Sequence, residues 1–186
     1  MRPYGASLGR SKGTRMPEPE GAELDRVRER RQQLRIQYLN DQPPPSSARG
    51  VHHVALICRD VEETINFYQG LLGFPLVEVV ENRDYAGSTH FFFDVGHGNL
   101  LGFFDFPGHD HPDFRETVGG IQHIAISVDK EHFDTAKQAL DEHQIDYLGP
   151  DRGVQDSIYL RDPNGAGIEL YNEEIGVFNG IRLTKY

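Results

Sequence analysis

One short pattern occurs twice in this chain, and that repetition constrains its fold more than any other feature. His53-Val-Ala-Leu-Ile returns as His123-Ile-Ala-Ile-Ser, 70 residues further on. The segments behind the two runs are also alike. After the first run, Asp60 is placed to cap a helix, with Glu63 three residues on as in a capping box. Val61, Ile65, Tyr68 and Leu72 then fall on one helical face, as do Phe133, Ala136 and Leu140 in the second copy. Each copy closes on strand-like runs. The first has Leu76–Val80, His90-Phe-Phe-Phe and Leu100-Leu-Gly-Phe-Phe; the second has Ser157-Ile-Tyr-Leu and Gly167-Ile-Glu-Leu-Tyr, with a weaker counterpart near Asp146–Leu148. One such unit buries its sheet poorly alone. Two side by side make an α+β domain: a cupped mixed sheet with helices on its outer face and room for a ligand inside.

The chain before the repeat has a different texture. Residues 1–48 read as an N-terminal extension, 49–175 as the repeated domain and 176–186 as a C-terminal tail. Residues 1–19 are rich in Gly, Ser, Arg and Pro and read as unstructured, with Met16 an alternative start. Glu20 to about Asn40 reads as a helix with a thin apolar stripe of Leu24, Val27, Leu34 and Tyr38. Its basic residues alternate with acids, and Glu23 with Arg26 and Asp25 with Arg28 are spaced to pair. Pro43-Pro44-Pro45-Ser46-Ser47 then forms a stiff linker.

Charge and composition exclude several classes. A net charge of -10 argues against nucleic acid as a partner, because neutralising phosphates needs a basic face. No run approaches the roughly 18 apolar residues of a membrane helix, and no apolar stretch follows the basic start as in a secretory signal. The one cysteine, Cys58, forms no intrachain disulfide, which fits the cytoplasm.

The chemistry lies at repeat-related positions. Side chains alternate across a strand, so His53 shares a face with Ala55, and His123 with Ala125. In the last long strand Glu169 points opposite to Ile168 and Leu170. If the two units pair as the repeat suggests, two imidazoles and one carboxylate converge in the cup. Such a set suits a divalent metal, iron(II) or manganese first, zinc or nickel next, and leaves positions open for a small-molecule substrate. His52 is the non-ligand of its pair, because His53 is the residue that matches His123. His90 beside three phenylalanines either lines the cup or, the preferred reading, is a satisfied polar residue; His109-Asp110-His111 is a loop that could chelate or, by preference, a solvated connection between the units.

The run from His53 through Asn66-Phe67-Tyr68 and Leu72-Gly73-Phe74, with Tyr159-Leu-Arg-Asp-Pro-Asn-Gly and Ile168-Glu169-Leu170, resembles vicinal oxygen chelate domains over about Val51 to Asn172. That superfamily includes glyoxalase I, extradiol dioxygenases, fosfomycin-resistance thiol transferases and metal-free bleomycin-binding proteins. The resemblance implies paired βαβββ modules and places the metal ligands at His53, His123 and Glu169. The fourth ligand position of glyoxalase I falls on Gly102, which has no side chain to coordinate. Similarity to extradiol dioxygenases gives Tyr159, ten residues before the glutamate, a role in hydrogen-bonding a metal-bound substrate oxygen. The further histidines of ring-cleaving enzymes have no clear counterpart; residues 149–155 contain none, and His109 and His111 match only loosely. Asp156-Ser157-Ile158-Tyr159 is similar to the thiol transferases. The resemblance also allows a homodimer, because some relatives build the cup from modules of two chains; the sequence leaves open whether His53 meets His123 of its own chain or of a partner.

Overall fold

The structure is a computed structural model that describes residues 18–40, 42–149 and 156–184. The expectations for residues 1–17, including an alternative start at Met16, and those for residues 150–155 lie outside the described residues. The rest divides into two compact units, with the boundary between Arg49 and Gly50.

In the first unit, Gly21–Tyr38 forms helix α1. Asp25 and Arg28 pair across one turn at 3.5 Å, as their spacing predicts. No residue of α1 is buried: Leu24 is half-buried, and Val27, Leu34 and Tyr38 of its apolar stripe are exposed.

The second unit carries the repeat. Strand β1 (His53–Ile57) leads into helix α2 (Val61–Ile65), capped by the Asp60 carboxylate, which accepts from the Glu63 amide at 2.7 Å. The helix continues as a π-helical stretch, Asn66–Leu71, closed by the Leu72 amide donating to the Phe67 carbonyl at 3.0 Å. The wider turn changes which side chains face inward, so that the consecutive residues Phe67 and Tyr68 are both buried. Strands β2 (Leu76–Glu81), β3 (Thr89–Asp94) and β4 (Leu100–Phe104) complete the module. The sheet order is β1-β4-β3-β2, with β1 parallel to β4 and the other pairs antiparallel.

The second copy repeats this plan with fewer strands. Strand β5 (Ile124–Ser127) precedes helix α3 (Lys130–Glu142), capped by the Asp129 carboxylate accepting from the His132 amide at 2.8 Å. Strands β6 (Ser157–Arg161) and β7 (Gly167–Tyr171) complete it, in the order β5-β7-β6. The weak strand expected near Asp146–Leu148 is reduced to a single antiparallel bridge between Leu148 and Tyr159. Beyond β7, Val177–Phe178 (β8) and Ile181–Arg182 (β9) pair as a small hairpin.

Alternation gives each sheet one buried face. Phe91, Phe93, Leu101 and Phe103 from the first, and Ile126, Ile158, Leu160, Ile168 and Leu170 from the second, pack with the helices in one core. The copies meet along their helical side. The buried Tyr68 hydroxyl donates to the Asp162 carboxylate at 3.0 Å, and the Arg59 amide donates to Asn164 Oδ1 at 2.9 Å. His132 stacks on Phe74 at 5.2 Å. Asp162 and Asn164 belong to the Asp-Pro-Asn-Gly turn between β6 and β7. That turn, legible in sequence as a family feature, is what anchors one copy to the other.

The mixed α+β plan of two strand–helix–strand modules is the one expected from the repeat, laid out as separate β-sheets within one chain. Strands β1 and β5 are edge strands of separate sheets. Among the described residues, no helix is long and apolar enough to cross a membrane.

Candidate metal centre

The second module brings two of the sequence-derived ligands together. His123 lies just before β5, and Glu169 sits in β7 opposite Ala125. Alternation places His123, Ala125 and Glu169 on the face away from the core. His123 Nε2 stands 3.1 Å from Glu169 Oε2. Ligand atoms about 2.1 Å from a metal and at right angles to each other are about 3.0 Å apart, so this spacing fits two cis ligands of one ion. On its other nitrogen, His123 Nδ1 contacts Gln122 Oε1. An N–H donated from Nδ1 leaves the Nε2 lone pair facing the carboxylate, the tautomer a metal requires. The Glu169 side chain is only 9% exposed, against 35% for His123, so solvent reaches the pair from the imidazole side.

Gly167 makes this approach possible. A Cβ there would lie 2.7 Å from the Gln122 carbonyl oxygen and 3.1 Å from His123 Cβ. Only glycine lets the chain at His123 run so close to β7. Tyr159, register partner of Glu169 on β6, holds its ring edge-on to His123 at 5.7 Å between centroids.

His53 is elsewhere. It begins β1 in the other sheet, exposed, with its ring edge-on to Phe92 at 5.9 Å. Its Nδ1 lies 2.9 Å from Nδ1 of His52. That contact engages Nδ1 of His53 and not Nε2, as an orienting partner's does. Among the described residues, no group of three or more His, Cys, Asp or Glu side chains is placed to hold a metal ion. Within one chain, then, His53 stands on a different sheet from His123 and Glu169.

The face around His53 is aromatic. His90 stacks on Phe104 with centroids 3.7 Å apart, and lies 4.1 Å from Phe92. The expectation that His90 is a satisfied polar residue is corrected. Its Nε2 is buried without a hydrogen-bond partner, because its neighbours are rings and a glycine. Burial, and then the charge of His53, push its imidazole pKa down. The sequence signal for this residue is only a histidine beside three phenylalanines in a strand-like run.

The remaining candidate loop is at the opposite end of β1. A cavity of about 330 Å³ lined by residues including Cys58, Arg59, Asp105, His109 and His111 opens there. His109 Nε2 contacts the Tyr85 hydroxyl at 2.8 Å, so the loop is tied to the first module rather than merely solvated. Burial raises the Cys58 thiol to about 11, which keeps it protonated and unreactive.

Comparison with known proteins fits this architecture. Residues 50–170 match the sequence profile of the glyoxalase/bleomycin resistance protein/dioxygenase superfamily. Glyoxylase I 4 of Arabidopsis thaliana is 30% identical over 132 residues, which is 69% of this chain and 73% of that protein. Catechol-2,3-dioxygenase of Bacillus subtilis is 28% identical over 122 residues, covering 65% of this chain but only 40% of its own length. The crystal structure of a glyoxalase/dioxygenase from Nostoc punctiforme superposes with a TM-score of 0.55 at 24% identity, over 73% of this chain and 99% of that one. With a repeated strand–helix–strand plan and a profile match across nearly all of it, the chain belongs to the glyoxalase/bleomycin resistance protein/dioxygenase superfamily.

Proposed function

We propose that the chain is a metal-dependent, dioxygenase-like enzyme whose centre is completed across a homodimer. In this reading His123 and Glu169 of one chain meet His53 of a second copy. The observation that carries it is the His123–Glu169 pair, two cis ligand atoms 3.1 Å apart, in a chain whose own His53 sits on a separate sheet.

The edges support the dimer. Strands β1 and β5 end their sheets, and such edges invite pairing. Ile57 on the His53 face is 52% exposed, and Val80 further across it is 42% exposed. A two-fold axis that sets β1 of one copy beside β5 of the other covers these surfaces and forms two equivalent cups.

A divalent ion, iron(II) or manganese first, would supply a Lewis acid for two adjacent substrate oxygens. The protein's own groups do the rest. Tyr159 donates a hydrogen bond to a substrate oxygen beside His123. Phe92, Phe104 and His90 form an aromatic wall that receives a planar, small substrate and excludes water. The buried, protonated thiol of Cys58 fits a cytoplasmic setting. A glyoxalase-like isomerase or lyase on the same centre is the second reading, favoured by the 30% identity to Glyoxylase I 4.

Two measurements test this. Purified protein should contain about one divalent metal per chain, and Glu169→Gln should lose it, with affinity down by at least about a hundredfold. With iron(II), a panel of catechols should give oxygen uptake; turnover without oxygen uptake selects the isomerase reading. No metal, together with small-molecule binding undisturbed in His123→Ala, defeats both and leaves a bleomycin-resistance-like binding protein. Co-expressing His53→Ala with Glu169→Gln chains tests the assembly. Across a dimer, each mixed pair regains one intact site; a site within one chain regains none.

A further inference from the structure

The first module has an unassigned polar atom where the second has its carboxylate. Repeat symmetry equates Gly102 on β4 with Glu169 on β7: Ala55 pairs with Gly102 as Ala125 pairs with Glu169. Glu169 reaches toward His123; nothing at residue 102 can reach toward His53. Yet the space above Gly102 is filled. A Cβ built there would lie 3.3 Å from His90 Nε2, with Phe92 ring carbons at 3.0 and 3.1 Å. His90 comes from the neighbouring strand, in register with Phe104, and leans back over the glycine. Phe104 stacks against one side of its ring at 3.7 Å and Phe92 tilts against it at 4.1 Å. The imidazole is thus held by packing alone. Its Nε2 is buried and makes no hydrogen bond. A buried nitrogen left in that state is unfavourable, so a group that it could bind would be stabilising there.

We propose that His90 is a fourth protein ligand of the metal, delivered through Nε2 from β3 over Gly102 in place of a side chain at residue 102. This rests on the metal centre proposed for His53, His123 and Glu169 and deepens it. The glycine is then a requirement rather than a missing ligand, since any larger residue would compete with the imidazole for the same space. The resulting set has three imidazoles and one carboxylate. It leaves one more positive charge on the ion than a second carboxylate would, and imidazole ligands favour iron, nickel or zinc over manganese.

The test adds cobalt(II) to metal-free, full-length protein and reads its affinity, with the number of bound histidine nitrogens counted by X-ray absorption. His90→Phe keeps an aromatic ring between Phe104 and Phe92; His90→Gln keeps a polar side chain and guards against a packing effect of the first. In both, affinity should fall about 10- to 100-fold and the count should drop by one histidine, while unfolding of the metal-free protein changes little. Unchanged affinity and count would overturn the assignment. So would weaker binding with an unchanged count, which makes His90 only a hydrogen-bond partner of the bound ion. If the unaltered protein and Glu169→Gln bind cobalt equally weakly, the underlying metal reading fails as well, and that pattern differs from a failure of His90 alone.

Discussion

The two modules share a plan but not a chemistry. In the second, His123 runs against a glycine, Gly167, and faces Glu169 at 3.1 Å. In the first, the residue in register with His53 is Leu100, the place of Glu169 is taken by Gly102, and His90 leans over that glycine from the next strand. The two copies thus share a scaffold, while the outer face of each carries a different set of polar side chains. The core-facing positions are apolar in both sheets because each must be covered by helices. The outer face is free of that demand, and there the copies differ.

Substitutions in the two modules should separate them, in order of expected effect. Gly167→Ala should be the most damaging of the glycine changes, because the new methyl group meets a backbone carbonyl at 2.7 Å that cannot swing away. We expect about 3 kcal/mol lost in denaturant unfolding, and metal affinity down at least about tenfold as His123 is displaced. Tyr68→Phe should cost about 2 kcal/mol, since it removes the buried hydrogen bond from the first module to Asp162 in the second. If the modules depend on that lock, unfolding followed by two probes, one in each module, should separate into two transitions.

Gly102→Ala should cost less than about 1 kcal/mol, because the atoms it meets belong to the rings of Phe92 and His90, which can give way. A loss as large as that of Gly167→Ala would show that the first module's face is packed as rigidly as the second's. The smallest effect concerns Cys58, which stands where the second copy has Val128. The folded thiol, at about 11, lies above its ordinary 9.0. Its contribution to stability is therefore full below about pH 9 and is lost as pH rises toward 11. Cys58→Val should match the unaltered protein near pH 7 and lose less stability between pH 9 and 11. Parallel profiles for the two proteins would refute the assignment.

Much of the fold was legible in the residues. The caps Asp60 and Asp129, the paired strand runs and the inward faces are set by interactions within a few positions along the chain, and alternation alone put His123 and Glu169 on the same outer face. The weak strand near Asp146–Leu148 is a single bridge, although Ile145 and Tyr147 pack against the core there. His90 is visible in the sequence, but its unpartnered state is not. Its meaning depends on Gly102, a neighbour across the sheet that lacks a side chain, and no local pattern records such a gap.

The duplicated module, and the faces on which its polar residues lie, were determined by the sequence itself, because strand alternation and helix capping are short-range. Only the tertiary structure decided which module faces which. Tyr68 reaches an acceptor 94 residues away and the Arg59 amide one 105 residues away, and these contacts join the first module to the Asp-Pro-Asn-Gly turn of the second. Buried contacts at such separations depend on the whole core rather than on any segment, so the sequence pattern alone left the place of His53 open.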